Sequence, residues 1–221
     1  MKRIAVVLAA ATCLVLATGA SATVFLHEGF EAGAPGWDTI GGVEGQDFSL
    51  WHIESYRAHS GMYSAAYNTG SPNYDYNVGW NWGVLMSPWM DFSGAANVYM
   101  SFSSWLETEN IPPYLFDNAH VVVKPGDAMW VPLYPDIQWF QQGQWVQLKA
   151  DLSPLAGMDN VRVGFFFDTM DYELNAYEGW YVDDIMVHDG DCSPVPEPST
   201  WLLLSTGLLG VGAFARRRFL G

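Results

Sequence analysis

Basic residues are scarce in this 221-residue chain: nine lysines and arginines stand against 24 aspartates and glutamates. Five of the nine (Lys2, Arg3, Arg216, Arg217, Arg218) sit at the two ends. Only Arg57, Lys124, Lys149 and Arg162 remain between residues 23 and 193, where they face 23 acidic residues, a formal charge near −19. A field of that sign repels nucleic acid and anionic membrane surfaces, which excludes a nucleic-acid partner, and it attracts cations. Cysteine is nearly missing as well. Cys13 lies in an N-terminal apolar run, so Cys192 can pair only between molecules or stay idle. The five histidines show no zinc spacing such as H-E-x-x-H, and no G-x-S-x-G elbow exists. Internal repeats and helical heptads are absent too. The chain is nevertheless no disordered acidic tail, because charged and aromatic residues each make up 15% of it.

Long uncharged apolar runs occur only at the ends. Met1-Lys2-Arg3 is a basic n-region, Ile4–Thr18 an apolar h-region and Ala20-Ser21-Ala22 an A-x-A cleavage site. Together they read as a secretory signal peptide over residues 1–22, for the Sec translocon and signal peptidase, with a mature start near Thr23. Ala10, where a lipobox needs Leu, excludes a lipoprotein. At the other end a proline-rich hinge from Pro194 leads into the uncharged run Thr200–Ala215, and Arg216, Arg217 and Arg218 close it. As a helix this run reaches ~24 Å, against a hydrocarbon core of ~30 Å. Its small residues suit a membrane helix, and the arginines stay cytoplasmic.

Val195-Pro196-Glu197-Pro198, the apolar run and the arginine cluster stand in the order of a PEP-CTERM sorting signal, which this tail resembles. The resemblance implies that residues 194–221 are an address read by an exosortase in a Gram-negative bacterium. The chain is then held transiently in the inner membrane and released to the cell surface or extracellular matrix. Residues 23–193 remain as one domain of about 170 residues, enough for a sizeable core.

Within that domain apolar and aromatic runs alternate with turn clusters, which predicts an all-β sandwich. Strands are expected at Val24–Glu28, Leu50–Ser55, Gly61–Asn68, Val84–Asp91, Asn97–Glu107, Trp145–Leu152, Val161–Asp168 and Trp180–His188. His120–Lys124 and Met129–Leu133 form a hairpin. Gly33–Gly45, Ser71–Asn81 and Ile111–Asp117 read as loops. The ordered series Gly29-Phe30-Glu31, Ser60-Gly61-Met62-Tyr63-Ser64, Leu85–Gly94, Asp151–Gly157, Phe167–Asp171 and Glu178–Ile185 resembles the choice-of-anchor J family and related cleaved-adhesin and MAM-like domains. The resemblance implies an extracellular jelly-roll β-sandwich, concanavalin A-like or galactose-binding-like. Some relatives carry an Asp-rich first loop with calcium-ligand spacing, whereas Gly42–Phe48 offers only Glu44 and Asp47.

Strand alternation places Asp183 on one face with Tyr181, Ile185 and Val187. If that face is the core face, its buried carboxylate needs backbone donors or a cation. Glu31, Asp183 and Asp184, with the Asp168–Asp171 region, are therefore candidate ligands of a structural calcium; the competing reading has Asp183 capping loop amides. Tyr74, Tyr76, Trp80 and Trp82 crowd one stretch, with Trp139 and Trp145 elsewhere, and flat aromatic faces beside carboxylates suit sugar rings. Core and loop packing would use the same residues. Glu107 and Glu109 share a strand face and could mimic the carboxylate pair of a glycosidase, whose carboxyls flank one cleft at a defined separation, although same-face acids on an exposed strand are usually solvated. Three functions stay open: a non-catalytic structural or adhesive surface protein, a carbohydrate-binding module for exopolysaccharide, and a glycan-active enzyme.

Overall fold

Alternating apolar and polar side chains, punctuated by Gly, Pro and Asp, commit this chain to strands. The computed structural model describes residues 22–111, 114–134 and 142–190, all within one unit, Ala22–Cys192. The signal peptide through Ser21, Trp139, Cys192 and the 194–221 tail lie outside the described residues. Among the described residues no helix is long and apolar enough to cross a membrane.

Two antiparallel sheets face each other as a jelly-roll sandwich. The six-stranded sheet runs β11 (Trp145–Asp151), β6 (Tyr99–Glu107), β13 (Gly179–His188), β4 (Ser64–Tyr67), β3 (Trp51–Glu54). β1 (Val24–Glu28) joins it along the second half of β13, where β4 has ended. The five-stranded sheet runs β10 (Val131–Tyr134), β9 (Asn118–Pro125), β12 (Val161–Asp168), β5 (Asn81–Met86), β2 (Asp38–Val43). β7 (Asn110–Ile111) and β8 (Tyr114–Leu115) form a small separate hairpin.

The inner faces interlock through aromatic rings. Phe165 of β12 sits 5.5 Å from Trp180, 5.2 Å from Phe102 and 6.5 Å from Trp51, centroid to centroid, and all three come from the opposite sheet. Tyr67 bridges similarly to Phe167 at 4.7 Å. Edge-to-face and tilted pairs of this kind add to the burial of each ring.

Besides Ile111–Asp117, expected as loop but carrying β8 and the end of β7, two sequence expectations change here. Gly33–Gly45, expected as loop, contains the edge strand β2, which pairs with β5 from Asp38↔Met86 to Val43↔Asn81. Its pairing depends on Gly41: a β-carbon there would stand 2.5 Å from the Trp82 carbonyl oxygen and 2.9 Å from Ser49 Cα. The second change is in β13, where simple alternation fails. Trp180 and Val182 face the core, as do Ile185 and Val187, because the register shifts between Asp183 and Met186 and Asp184 takes φ 49°. This bulge resets the phase. Asp183 therefore shares the outer face with Tyr181, buried beneath the 55–63 loop and not in the core.

A polar cluster closes one end of the sandwich. The fully buried Tyr76 donates its hydroxyl to Asp117 Oδ2 (2.5 Å), and the Glu109 amide donates to the same oxygen (3.0 Å). Burial pushes the Asp117 carboxyl up to about 7 despite those donors, with the Glu109 and Asp171 charges adding to it. A group whose folded pKa is raised keeps its proton in the native state while the unfolded chain releases it near the ordinary value. In metal-free buffer, stability should fall as pH rises from about 4 to about 7, by up to about 4 kcal/mol. Asp117→Asn should flatten that segment of a denaturant-derived stability profile; an unchanged slope would contradict the assignment.

Candidate binding surface

The four crowded aromatics do not form one platform. Tyr76 belongs to the core. Tyr74 stacks on Tyr56 at 3.9 Å and 15°, beside the 55–63 loop. Trp80 is 38% exposed and donates its indole N–H to Asp168 Oδ1 (3.1 Å). Trp82 lies on the outer face of the five-stranded sheet, where it, Trp130 and Phe166 pack against the cluster of Val84, Met86 and Val122. Trp145, on the other sheet, meets the His59 ring edge-on at 5.4 Å.

Trp82 lines a cavity of about 550 Å³ with Thr39, Ile40, Gly41, Asp47, Phe48 and Ser49. Its geometry follows from β2 and the turn after it. Trp82 and Gly42 are cross-strand partners, and a β-carbon on Gly42 would come within 2.8 Å of the Trp82 Nε1. The indole can thus lie down over the strand backbone. Glu44 (φ 45°) and Gly45 (φ 83°) then reverse the chain, fixed by reciprocal Val43 and Gln46 backbone hydrogen bonds (3.0 and 2.9 Å). This turn returns Asp47, Phe48 and Ser49 alongside β2. Phe48 and Ile40 remain 46% and 43% exposed. The site offers two aromatic surfaces, one carboxylate and two hydroxyls in a volume that fits a few sugar rings.

The candidate calcium ligands separate into two groups. Asp183 Oδ2 accepts the amides of His59 (2.8 Å) and Ser60 (3.1 Å), and its Oδ1 accepts the Asp184 amide (2.7 Å). Burial raises the Asp183 carboxyl above the usual range against the pull of these amides. Asp184 accepts Ser60 Oγ–H (2.6 Å) and the His59 ring N–H (2.5 Å). Glu31 Oε1 accepts the Met62 and Tyr63 amides (2.8 and 2.9 Å). These three carboxylates hold down the 59–63 turn, so backbone donors answer the buried charge of Asp183. Asp168 and Asp171 instead order the turn after β12, accepting the Met170 and Glu173 amides (both 2.8 Å). Among the described residues no group of three acidic, histidine or cysteine side chains is placed to hold a metal ion.

The expected Glu107–Glu109 pair does not share a strand face. β6 ends at Glu107, and Glu109 is turned into the closed end while Glu107 is half-buried.

Sequence reading missed Thr39, Ile40, Phe48 and Ser49 as site residues because it missed β2. The available signal was Asp38-Thr39-Ile40 entering Gly41-Gly42 opposite a tryptophan strand, since adjacent strand glycines mark a close approach.

Residues 194–218 match the model of the PEP-CTERM protein-sorting motif, which marks the chain as one sorted to the cell surface. Over 171 residues the chain is 26% identical to Bacillopeptidase F of Bacillus subtilis (strain 168), a match covering 76% of this chain and 11% of that protein. The chain thus spans about a tenth of that relative, whose name describes the relative alone. Similar solved structures include TmCBM61 in complex with beta-1,4-galactotriose (12% identity, TM-score 0.49, 76% of this chain and 99% of that one). The CBM22-1 xylan-binding domain of Paenibacillus barcinonensis Xyn10C is another (16%, 0.47, 78% and 98%). A third is the K3 cleaved adhesin domain of Lys-gingipain from Porphyromonas gingivalis (19%, 0.47, 76% and 100%). The sandwich assignment rests on this chain's own two sheets. Sandwich and tail together define the class, an exosortase-sorted all-β surface protein.

The two strand glycines should behave differently. A methyl on Gly42 meets only an indole that can swing away, whereas one on Gly41 meets backbone. Gly41→Ala should therefore lower the melting temperature more than Gly42→Ala, and Gly42→Ala should shift tryptophan emission to the red as Trp82 lifts off. Equal melting temperatures with unchanged emission would contradict this packing.

Proposed function

We propose that this domain is a non-catalytic surface module that holds a neutral polysaccharide in the Trp82–Phe48 cavity. The observation that carries the reading is the lining itself: Trp82 and Phe48 offer ring faces to sugar C–H groups, while Asp47, Thr39 and Ser49 offer hydrogen bonds to hydroxyls. A charge near −19 between residues 23 and 193 disfavours a uronic-acid-rich or sulfated chain. Asp47 is the one carboxylate lining the cavity, and a single carboxylate does not supply the flanking pair that glycoside hydrolysis requires. The sorting motif at 194–218 supports an extracellular setting in which such a module would fix exopolysaccharide to the surface or matrix. A structural or adhesive role follows from that attachment.

The test is binding of the purified protein to a panel of neutral and acidic polysaccharides by affinity electrophoresis and calorimetry. Saturable binding to neutral chains is expected. Trp82→Ala or Phe48→Ala should weaken it about 30-fold, the loss of about 2 kcal/mol usual for a central aromatic anchor. Trp145→Ala on the other sheet should leave it intact. Binding indifferent to Trp82 and Phe48, or no saturable binding by a folded protein, would overturn the proposal.

A further inference from the structure

The first and last residues of the sandwich are tied to each other. β1 pairs with the second half of β13, from Val24↔His188 to Glu28↔Ile185. This pairing brings Thr23 beside Asp189, and a two-way contact closes the junction. The Thr23 backbone nitrogen donates to the Asp189 carboxylate Oδ1, and the Asp189 amide donates to the Thr23 carbonyl (3.0 Å). Ala22 and Thr23 are both exposed. A backbone N–H at a strand end is satisfied by water or a neutral carbonyl; here it meets a full negative charge. The arginines do not answer that charge, since Arg57 is paired with Glu178 (2.7 Å) and Arg162 with Asp38 (2.6 Å).

Thr23 is also the residue that follows Ala20-Ser21-Ala22, the A-x-A pattern of a signal-peptidase site. We propose that cleavage between Ala22 and Thr23 turns this backbone nitrogen into an α-ammonium seated on the Asp189 carboxylate, so that Asp189 is the receptor for the mature N-terminus. Hydrolysis adds water across the Ala22–Thr23 peptide bond. The hydroxyl goes to the Ala22 carbonyl carbon and a hydrogen to the Thr23 nitrogen. The new acid then loses its proton, and the new amine is largely protonated at neutral pH. The donor already stands against its acceptor, so cleavage changes its charge without moving it. A hydrogen bond to one ion becomes a hydrogen bond between two, with three N–H donors in place of one. The ammonium also adds a fifth positive charge to a stretch with four bases and 23 acids. Removal of the leader thereby tightens the end of β13, the strand that leads in sequence to the sorting motif at 194–218. The proposal is independent of the polysaccharide reading, because neither Thr23 nor Asp189 lines the cavity.

Mass spectrometry of the exported protein reads its first residue, which should be Thr23. Chains that run to Gly221 and begin at either Thr23 or Ser21 are then compared in detergent at low salt. The chain that begins at Ser21 keeps an amide at Thr23 and carries its ammonium two residues away. The chain that begins at Thr23 should melt about 1–3 °C higher, the effect of an exposed ion pair on a domain of this size. Its Asp189 amide should also exchange hydrogen severalfold more slowly. Both differences should vanish in Asp189→Asn, and the difference in melting temperature should shrink in about 1 M salt. A first residue other than Thr23 would overturn the proposal. So would two chains that melt and exchange alike with Asp189 in place, or a difference that survives Asp189→Asn.

Discussion

Phe165 is the side chain on which the two sheets meet. Its ring touches Trp180, Phe102 and Trp51 of the opposite sheet and Trp37 of the loop before β2. Packing at this density leaves few ways to arrange the inner faces. Once Phe165 is placed, β12 is fixed, and β5 and β9 follow by pairing on either side of it. The outer face of the five-stranded sheet then carries Trp82, Val84, Met86 and Phe166 by alternation alone. The candidate cavity is thus a consequence of the core: the strand that turns Leu85 inward must turn Trp82 and Val84 outward, toward the edge strand β2.

Charge is arranged by the same economy of parts. With four basic residues between residues 23 and 193, many carboxylates find backbone amides instead of cations. Asp183, Glu31, Asp168 and Asp171 each hold a turn in this way. The arginines bind loops to sheet faces. Arg57 lies 3.9 Å over the Trp105 ring while its guanidinium pairs with Glu178, and Arg162 lies 5.1 Å over Trp89 while pairing with Asp38. Cation–π contact and hydrogen bonding act together at both positions. Glu109 falls outside this scheme: its Oε2 is buried without a hydrogen-bond partner.

The sequence made the sandwich legible wherever side chains alternate cleanly. In Trp145–Asp151 the residues Val146, Leu148 and Ala150 turn inward, and in Val161–Asp168 Val163, Phe165 and Phe167 do so, as strict alternation dictates. Legibility failed where backbone geometry overrides side-chain pattern. β2 carries Gly41-Gly42, which have no side chain to alternate, and β13 contains a left-handed Asp184 that resets the phase. Both failures fell on candidate site residues. Missing β2 hid Ile40 and Phe48, and missing the bulge put Asp183 on the core face. Tyr76 looked like a surface aromatic because its neighbours are turn residues; its burial is set by Phe167 and Asp117, which are distant in sequence.

The most direct test of the account is an NMR titration that follows the indole N–H signals of the tryptophans as a neutral oligosaccharide is added. If the outer face beside β2 is the binding surface, the Trp82 signal moves progressively to saturation. Trp180, whose indole donates to Ser104 in the core, and Trp145 on the opposite sheet stay in place. Movement of Trp145 with Trp82 stationary would put the ligand on the six-stranded sheet and contradict the account.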